Sequence, residues 1–254
     1  MHLKLYLSIG LLFCCSLLSA QRHREYAKKE EARNKGKAIL ANVSVGTHLL
    51  GGDLANRFGR DGAVGLGTEW ITANNFIIGL EGNYYFGNQV DEDPLAILRT
   101  TEGDLIGNDQ LLATVALRQR GWYVGGLIGK LVTSNDSRSG LRLTLGAGIT
   151  QHKIRVQDDQ SVMTQLTGDY LEGYDRLTGG LALQQFVGWQ NLAKNRLANW
   201  MIGFEFNQGF TKSLRDWDFT ERRKLEGNRI DLRFGIRATW TIPFYISSAE
   251  NIFY

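Results

Sequence analysis

The sequence predicts an all-β fold: a closed antiparallel eight-stranded transmembrane β-barrel with long external loops and short periplasmic turns. Three observations predict it. Between Ile230 and Ile242 the chain alternates strictly, with Ile230, Leu232, Phe234, Ile236, Ala238, Trp240 and Ile242 on one face and Asp231, Arg233, Gly235, Arg237, Thr239 and Thr241 on the other. A strand that separates lipid from a polar interior needs this period-two pattern. Seven further segments resemble it, near 39–49, 62–72, 76–87, 121–132, 140–155, 178–192 and 197–211, which makes an even total of eight. Their connections alternate short and long, the asymmetry of a barrel with both termini in the periplasm.

The elements follow in chain order. Residues 1–20 have the layout of a cleavable secretory signal, with Lys4, an apolar run from Leu5 to Leu18, and Ser19-Ala20 before Gln21. That core is too short to span a hydrocarbon layer of about 30 Å comfortably. Cleavage near Ala20 removes Cys14 and Cys15, so the mature chain has no thiol for disulfides or metal. Residues 21–37 form a charged periplasmic lead-in rich in Arg and Lys. The barrel is expected over 38–243 and a short periplasmic C-terminal tail over 244–254. The short links, Ala73 to Asn75, Thr133 to Ser139 and Ala193 to Arg196, are the periplasmic turns. The long ones, Leu50 to Asp61, Gly87 to Arg120, Val156 to Leu177 and Lys212 to Asn228, are the external loops, with Leu111 to Leu117 adding a strand or hairpin above the membrane.

Composition agrees with this layout. Thirty glycines, two prolines and 43% apolar residues suit many strands with close-packed interior positions, and a net charge of +3 is too small to indicate nucleic acid. Trp70, Phe76, Trp189, Trp200 and Trp240 fall at predicted periplasmic boundaries, where amphipathic rings favour the membrane interface. The opposite faces carry Glu69, Glu81, Glu205 and Asp231 against Lys130, Arg142, Arg233 and Arg237. An eight-stranded barrel has an interior just large enough to be filled by side chains, so these charges are expected to pair as a plug.

Arg233-Phe234-Gly235-Ile236-Arg237-Ala238-Thr239-Trp240 resembles the terminal-strand signal read by the barrel assembly machinery, departing from it in the alanine at a bulky position and in the residues that follow. The mature chain also resembles the small outer-membrane β-barrel proteins of Bacteroidetes, in Gly51-Gly52-Asp53-Leu54-Ala55-Asn56-Arg57-Phe58-Gly59 and in Leu166 to Asp169-Tyr170 through Gly173-Tyr174-Asp175-Arg176-Leu177-Thr178. The resemblance implies fold and compartment and supplies no catalytic residue.

Candidate chemistry is sparse. Asp53 and Arg57 on the first loop, and Tyr170, Tyr174, Asp175 and Arg176 on the third, form a candidate loop interaction surface, since Tyr and Arg commonly anchor protein interfaces. A self-satisfied loop is the simpler account of the same residues. Asp91-Glu92-Asp93 and Asp158-Asp159 lack the glycine-punctuated spacing of a calcium loop. His152 beside Ser161 or Asp159 has no nucleophile motif around it, and a rim histidine in a polar network is the simpler reading. The expectation is a non-enzymatic outer-membrane scaffold without cofactor, acting through its external loops in envelope maintenance or secretion, the type 9 secretion system included. A small porin and an outer-membrane lipid-modifying enzyme are the alternatives. Expected partners are outer-membrane lipids and lipopolysaccharide, the barrel assembly machinery during biogenesis, and an envelope or secretion-complex protein.

Overall fold

The computed structural model describes residues 36–133, 138–158, 163–193 and 199–246. The expected signal peptide, most of the lead-in, the end of the C-terminal tail, Asp159 and Ser161 lie outside the described residues. Among the described residues there are ten strands: β1 Lys37–Gly52, β2 Arg60–Ile71, β3 Phe76–Gly87, β4 Leu105–Ile106, β5 Leu112–Ala113, β6 Val115–Thr133, β7 Arg138–Asp158, β8 Thr178–Leu192, β9 Asn199–Ser213 and β10 Arg229–Ile246. Eight of them form a closed antiparallel ring in the order β1-β2-β3-β6-β7-β8-β9-β10, and β10 pairs back onto β1 from Lys37↔Ile246 to Gly52↔Asp231. Closure leaves no unpaired edge, which is the condition for placing strands in hydrocarbon.

The period-two pattern maps directly onto this ring. Along β10, Asp231, Arg233, Arg237, Thr239 and Thr241 are buried inside, while Ile230, Phe234, Ile236, Trp240 and Ile242 are exposed outside. Cross-strand neighbours share a face, so the outside of β9 continues the belt with Trp200 opposite Trp240 and Phe206 stacked on Phe234 at 4.5 Å between centroids. Trp70, Phe76, Trp189, Trp200 and Trp240 are all exposed near the end of the barrel that carries the termini. Apolar area of this extent, bounded by an aromatic girdle, defines a membrane-spanning surface.

At the terminal end the β2–β3 connection is a tight turn. The Thr72 hydroxyl accepts from the Phe76 amide at 3.0 Å, and Asn75 takes the left-handed conformation with φ 61°, a conformation Asn tolerates better than most residues. At the other end the strands run on. β6 and β7 continue as a ribbon to Val115↔Asp158, and β4 and β5 form a small hairpin beneath which Leu95, Leu105, Met163, Leu166 and Tyr174 cluster.

Most strand boundaries shift by one to three residues from the sequence expectation, and three departures are larger or change an element. β6 begins at Val115 rather than near 121, because Leu117 and Val156 pair above the belt although Arg118 and Arg120 interrupt the apolar pattern. The hairpin expected over Leu111 to Leu117 is divided: Leu112 and Ala113 belong to β5, while Val115 to Leu117 belong to β6. β10 passes the expected boundary at Pro243 and includes Phe244 to Ile246. Among the described residues its pairing beyond Trp240 is with β1 alone, an edge setting in which proline is tolerated.

Candidate functional site: a charge-filled lumen under interlocked loops

Inside the ring the side chains lie in tiers along the axis. Nearest the termini is an apolar layer of Leu40, Ile71, Ile77, Leu127, Leu131 and Leu192. Above it Arg142, fully buried, grips Glu69 with both terminal nitrogens at 2.9 and 2.7 Å and also donates to Gln190. The planar guanidinium matches the carboxylate fork, which makes this the stronger kind of ion pair. In the next tier Arg237 bridges Glu81 at 3.0 Å and Glu205 at 2.9 Å, and its guanidinium lies 4.5 Å from the Phe186 ring centroid. A cavity beside these tiers, lined by Glu69, Glu81, Asn83 and Arg237, holds about 10 Å³, at the lower limit of what one water requires.

The third tier centres on Asp61, which receives Arg233 Nε at 3.0 Å, Gln119 Nε2 at 2.9 Å and His48 Nδ1 at 2.8 Å. Arg233 also stacks over Tyr85, 4.1 Å from the ring centroid. In the fourth, His152 Nε2 lies 2.8 Å from Asp231, and the Thr211 hydroxyl donates to the same carboxylate at 2.5 Å. Gly235 sits directly against the His48 imidazole, where any Cβ would collide with the ring.

Glu69, Glu81, Arg142, Glu205, Asp231, Arg233 and Arg237 therefore line the lumen, and Lys130 does not. Lys130 is exposed on the outer face, opposite Phe76 in register, with its ammonium 4.5 Å from that ring. β6 obscures its own phase, because Trp122, Val124 and Ile128 point out, Tyr123, Leu127 and Leu131 point in, and the intervening glycines carry no signal. Asp61, which the sequence pattern places at the end of the first loop, lines the lumen as well. Counting back from Glu69 in steps of two through Gly67, Gly65 and Ala63 reaches it, and that phase was the available signal.

Above the tiers the loops interlock. Leu54 and Phe58 of the first loop are fully buried against Ile154 and close the lumen. Arg57, also buried, donates to Glu92 of the second loop at 2.5 Å, to the Arg176 carbonyl of the third at 3.0 Å and to the Thr178 hydroxyl at the start of β8 at 2.9 Å. Arg176 pairs with Glu92 and with Asp218 of the fourth loop. Asp175 receives Arg215 through two nitrogens at 2.9 and 2.7 Å. Asp53 ties the first loop to the start of β10, accepting from the Ile230 amide at 2.8 Å. The hydrogen bonds from Arg215 to Asp175 raise that guanidinium above its ordinary range, and burial raises the Tyr174 phenol, with Asp218 adding to the effect.

This placement corrects the expected loop interaction surface. Arg57, Tyr174, Asp175 and Arg176 are buried because each is a latch between loops, and Asp53 is a half-buried latch of the same kind. Tyr170 alone of the six stands out, 65% exposed. Its exposed apolar companions on the loops are Ile97, Ile106, Leu111, Leu112, Leu214 and Trp217. The carboxylates considered for calcium are engaged as well: Glu92 by two arginines, Asp93 by Arg99 at 2.5 Å and Asp158 by the Met163 amide at 3.0 Å. Among the described residues no group of three His, Cys, Asp or Glu side chains is placed to hold a metal ion. His152 faces Asp231 in the sealed lumen, away from the membrane edge where a lipid-modifying site would need it.

Fold and lumen together define a small membrane-spanning β-barrel with a filled interior and a latched loop cap. No family model matches the chain, and no curated protein matches it. Among solved structures, the attachment invasion locus protein Ail of Yersinia pestis is similar at 11% identity and TM-score 0.37, over 81% of this chain and 99% of Ail. Neisserial surface protein A is similar at 10% identity and TM-score 0.36, over 80% and 96% of the two chains. OprG, an outer membrane protein from Pseudomonas aeruginosa, is similar at 10% identity and TM-score 0.35, over 83% and 98%. The fold assignment rests on the strand pairing itself, not on these similarities.

Proposed function

We propose that the chain is a non-enzymatic integral outer-membrane scaffold, exported by a signal cleaved near Ala20, with its termini in the periplasm and its loops outside. One observation carries the reading: arginines 57, 176 and 215 join all four loops into a single body over a lumen already filled with side chains. A transport loop must move or leave a wet path, whereas a loop ordered by buried ion pairs presents a fixed surface at little entropic cost on binding. The surface available for a partner is the outer face of that body, with Tyr170, Trp217 and the β4–β5 hairpin residues Leu111 and Leu112 as apolar anchors. Aromatic side chains of this kind are the usual centres of protein interfaces.

The partner class is a protein of the envelope or of a secretion complex, reached from the cell exterior, and the resemblance to Bacteroidetes barrels makes the type 9 secretion system one setting for it. Outer-membrane lipids and lipopolysaccharide surround the belt, and the alternating terminal strand β10 is the segment offered to the barrel assembly machinery. The test is mild crosslinking and affinity recovery of tagged protein from its native membrane, repeated with Tyr170→Ala/Trp217→Ala. A stoichiometric protein lost in the double variant supports the scaffold. A solitary barrel that conducts in planar bilayers would replace this reading with the small-porin alternative.

A further inference from the structure

The outer face is not uniformly filled. A groove of about 680 Å³ runs along it beside Trp70, Phe76, Ile78, Ile128, Lys130 and Leu143. It meets a second of about 530 Å³ that shares Ile78, Ile128 and Leu145 and continues over Gly126 and Ala147. The two make one apolar channel that starts at the aromatic girdle on the terminal side and rises toward the middle of the belt. Its floor is recessed because Gly126 and Ala147 face outward with nothing larger than a methyl group.

Two cations stand at the girdle end. Lys130 lies over the Phe76 ring, and the Lys37 ammonium is 5.9 Å from the ring centroid of Trp70, which itself lines the groove. Neither lysine has a carboxylate partner among the described residues. An ammonium at the membrane interface without a carboxylate is positioned to meet a lipid phosphate, and the long lysine stem lets the charge reach the headgroup layer.

We propose that this groove is a binding site for one anionic diacyl phospholipid of the leaflet on the terminal side, with its phosphate between Lys37 and Lys130 and an acyl chain laid along Ile78, Ile128 and Gly126. Charge complementarity and groove direction argue for this occupant. Among the described residues the charged side chains at the girdle end of the groove, Lys37 and Lys130, are both positive, and the rest of the lining is predominantly apolar and runs along the lipid chains. The proposal rests on the membrane-spanning reading of the barrel.

The test uses the purified full chain and native mass spectrometry with phosphatidylglycerol or phosphatidylcholine of matched chains. The wild type is expected to retain a first phosphatidylglycerol with a preference of about five- to thirtyfold, on the scale of one to two favourable lysine contacts. Lys37→Gln/Lys130→Gln is expected to bring the two lipids to parity. Gly126→Leu fills the floor without strain, since an added Cβ there meets nothing nearer than 3.8 Å. It is expected to weaken both lipids about equally while keeping the headgroup preference. Parity in the wild type, or a preference that survives the double substitution, overturns the proposal. Heat-modifiable migration of each protein in phosphatidylcholine bilayers is read separately, and failure of the wild type to give the folded band would overturn the membrane reading itself.

Discussion

The lumen and the loop cap use the same chemistry, buried arginine against carboxylate, but reach it by different routes. In the lumen, Arg142 and Glu69 or Arg233 and Asp61 meet because strand alternation sends them inward and the register sets their heights. In the cap, Arg57, Glu92, Arg176 and Asp218 come from four separate loops and meet only because the barrel brings its strand ends into one ring. The lumen pairs therefore fill space that lipid-facing strands enclose, whereas the cap pairs fix chain segments that no sheet restrains. Removing a lumen charge should strike stability of the whole barrel. Removing a cap charge should free loops and leave the barrel standing.

The largest expected effect is in the third tier. Asp61→Ala leaves Arg233 and His48 without their shared carboxylate in a sealed interior, and breaking such a buried pair costs about 3 to 5 kcal/mol. Urea unfolding in lipid vesicles followed by tryptophan fluorescence measures it. A loss under 1 kcal/mol would mean that the tier is wetter than its geometry indicates. Next comes the outer face. Ile236→Arg places a charge on the exposed side of β10 near the middle of the belt, at a cost of about 2 to 4 kcal/mol, while Leu232→Arg near the loop rim costs about 0 to 1 kcal/mol. Folding yield and heat-modifiable migration should rank the two in that order, and the reverse ranking would displace the belt along the barrel.

The cap supplies the third contrast. Arg176→Ala unlinks Glu92 and Asp218, a loss of about 1 to 3 kcal/mol of local stability. It should expose the loops to protease while the belt remains protected. Simultaneous digestion of strands would join cap and lumen into one cooperative unit. The smallest effect belongs to Trp217→Ala, whose side chain is half exposed. Stability should stay within about 0.5 kcal/mol, and any change should appear in partner recovery alone.

Strands were the most legible part of the sequence because lipid imposes period two on every one of them. β3 and β8 lie at the residues the pattern names, Phe76–Gly87 and Thr178–Leu192. Phase was lost where glycine and apolar residues occupy both faces, and Lys130 in β6 shows the consequence. Its position outside the barrel could be read only from its pairing with Phe76. The loop residues were legible as a group and not in their role. Composition marked Arg57, Tyr174, Asp175 and Arg176 as rich in binding chemistry. Their partners lie as far away as the 121 positions between Arg57 and Thr178, and no local pattern carries that distance. Trp217, which shares the charged fourth loop with Phe219, remains at the surface where Arg57 and Arg176 do not.

The central claim is that the lumen is filled and the loops form one fixed body above it. Planar-bilayer recording of highly purified protein, alongside Arg237→Ala to open the second tier, tests it most directly. The account predicts no steady conductance from the wild type, with openings appearing only when Arg237 no longer bridges Glu81 and Glu205. Steady wild-type conductance abolished by substitutions in the lumen tiers would contradict it.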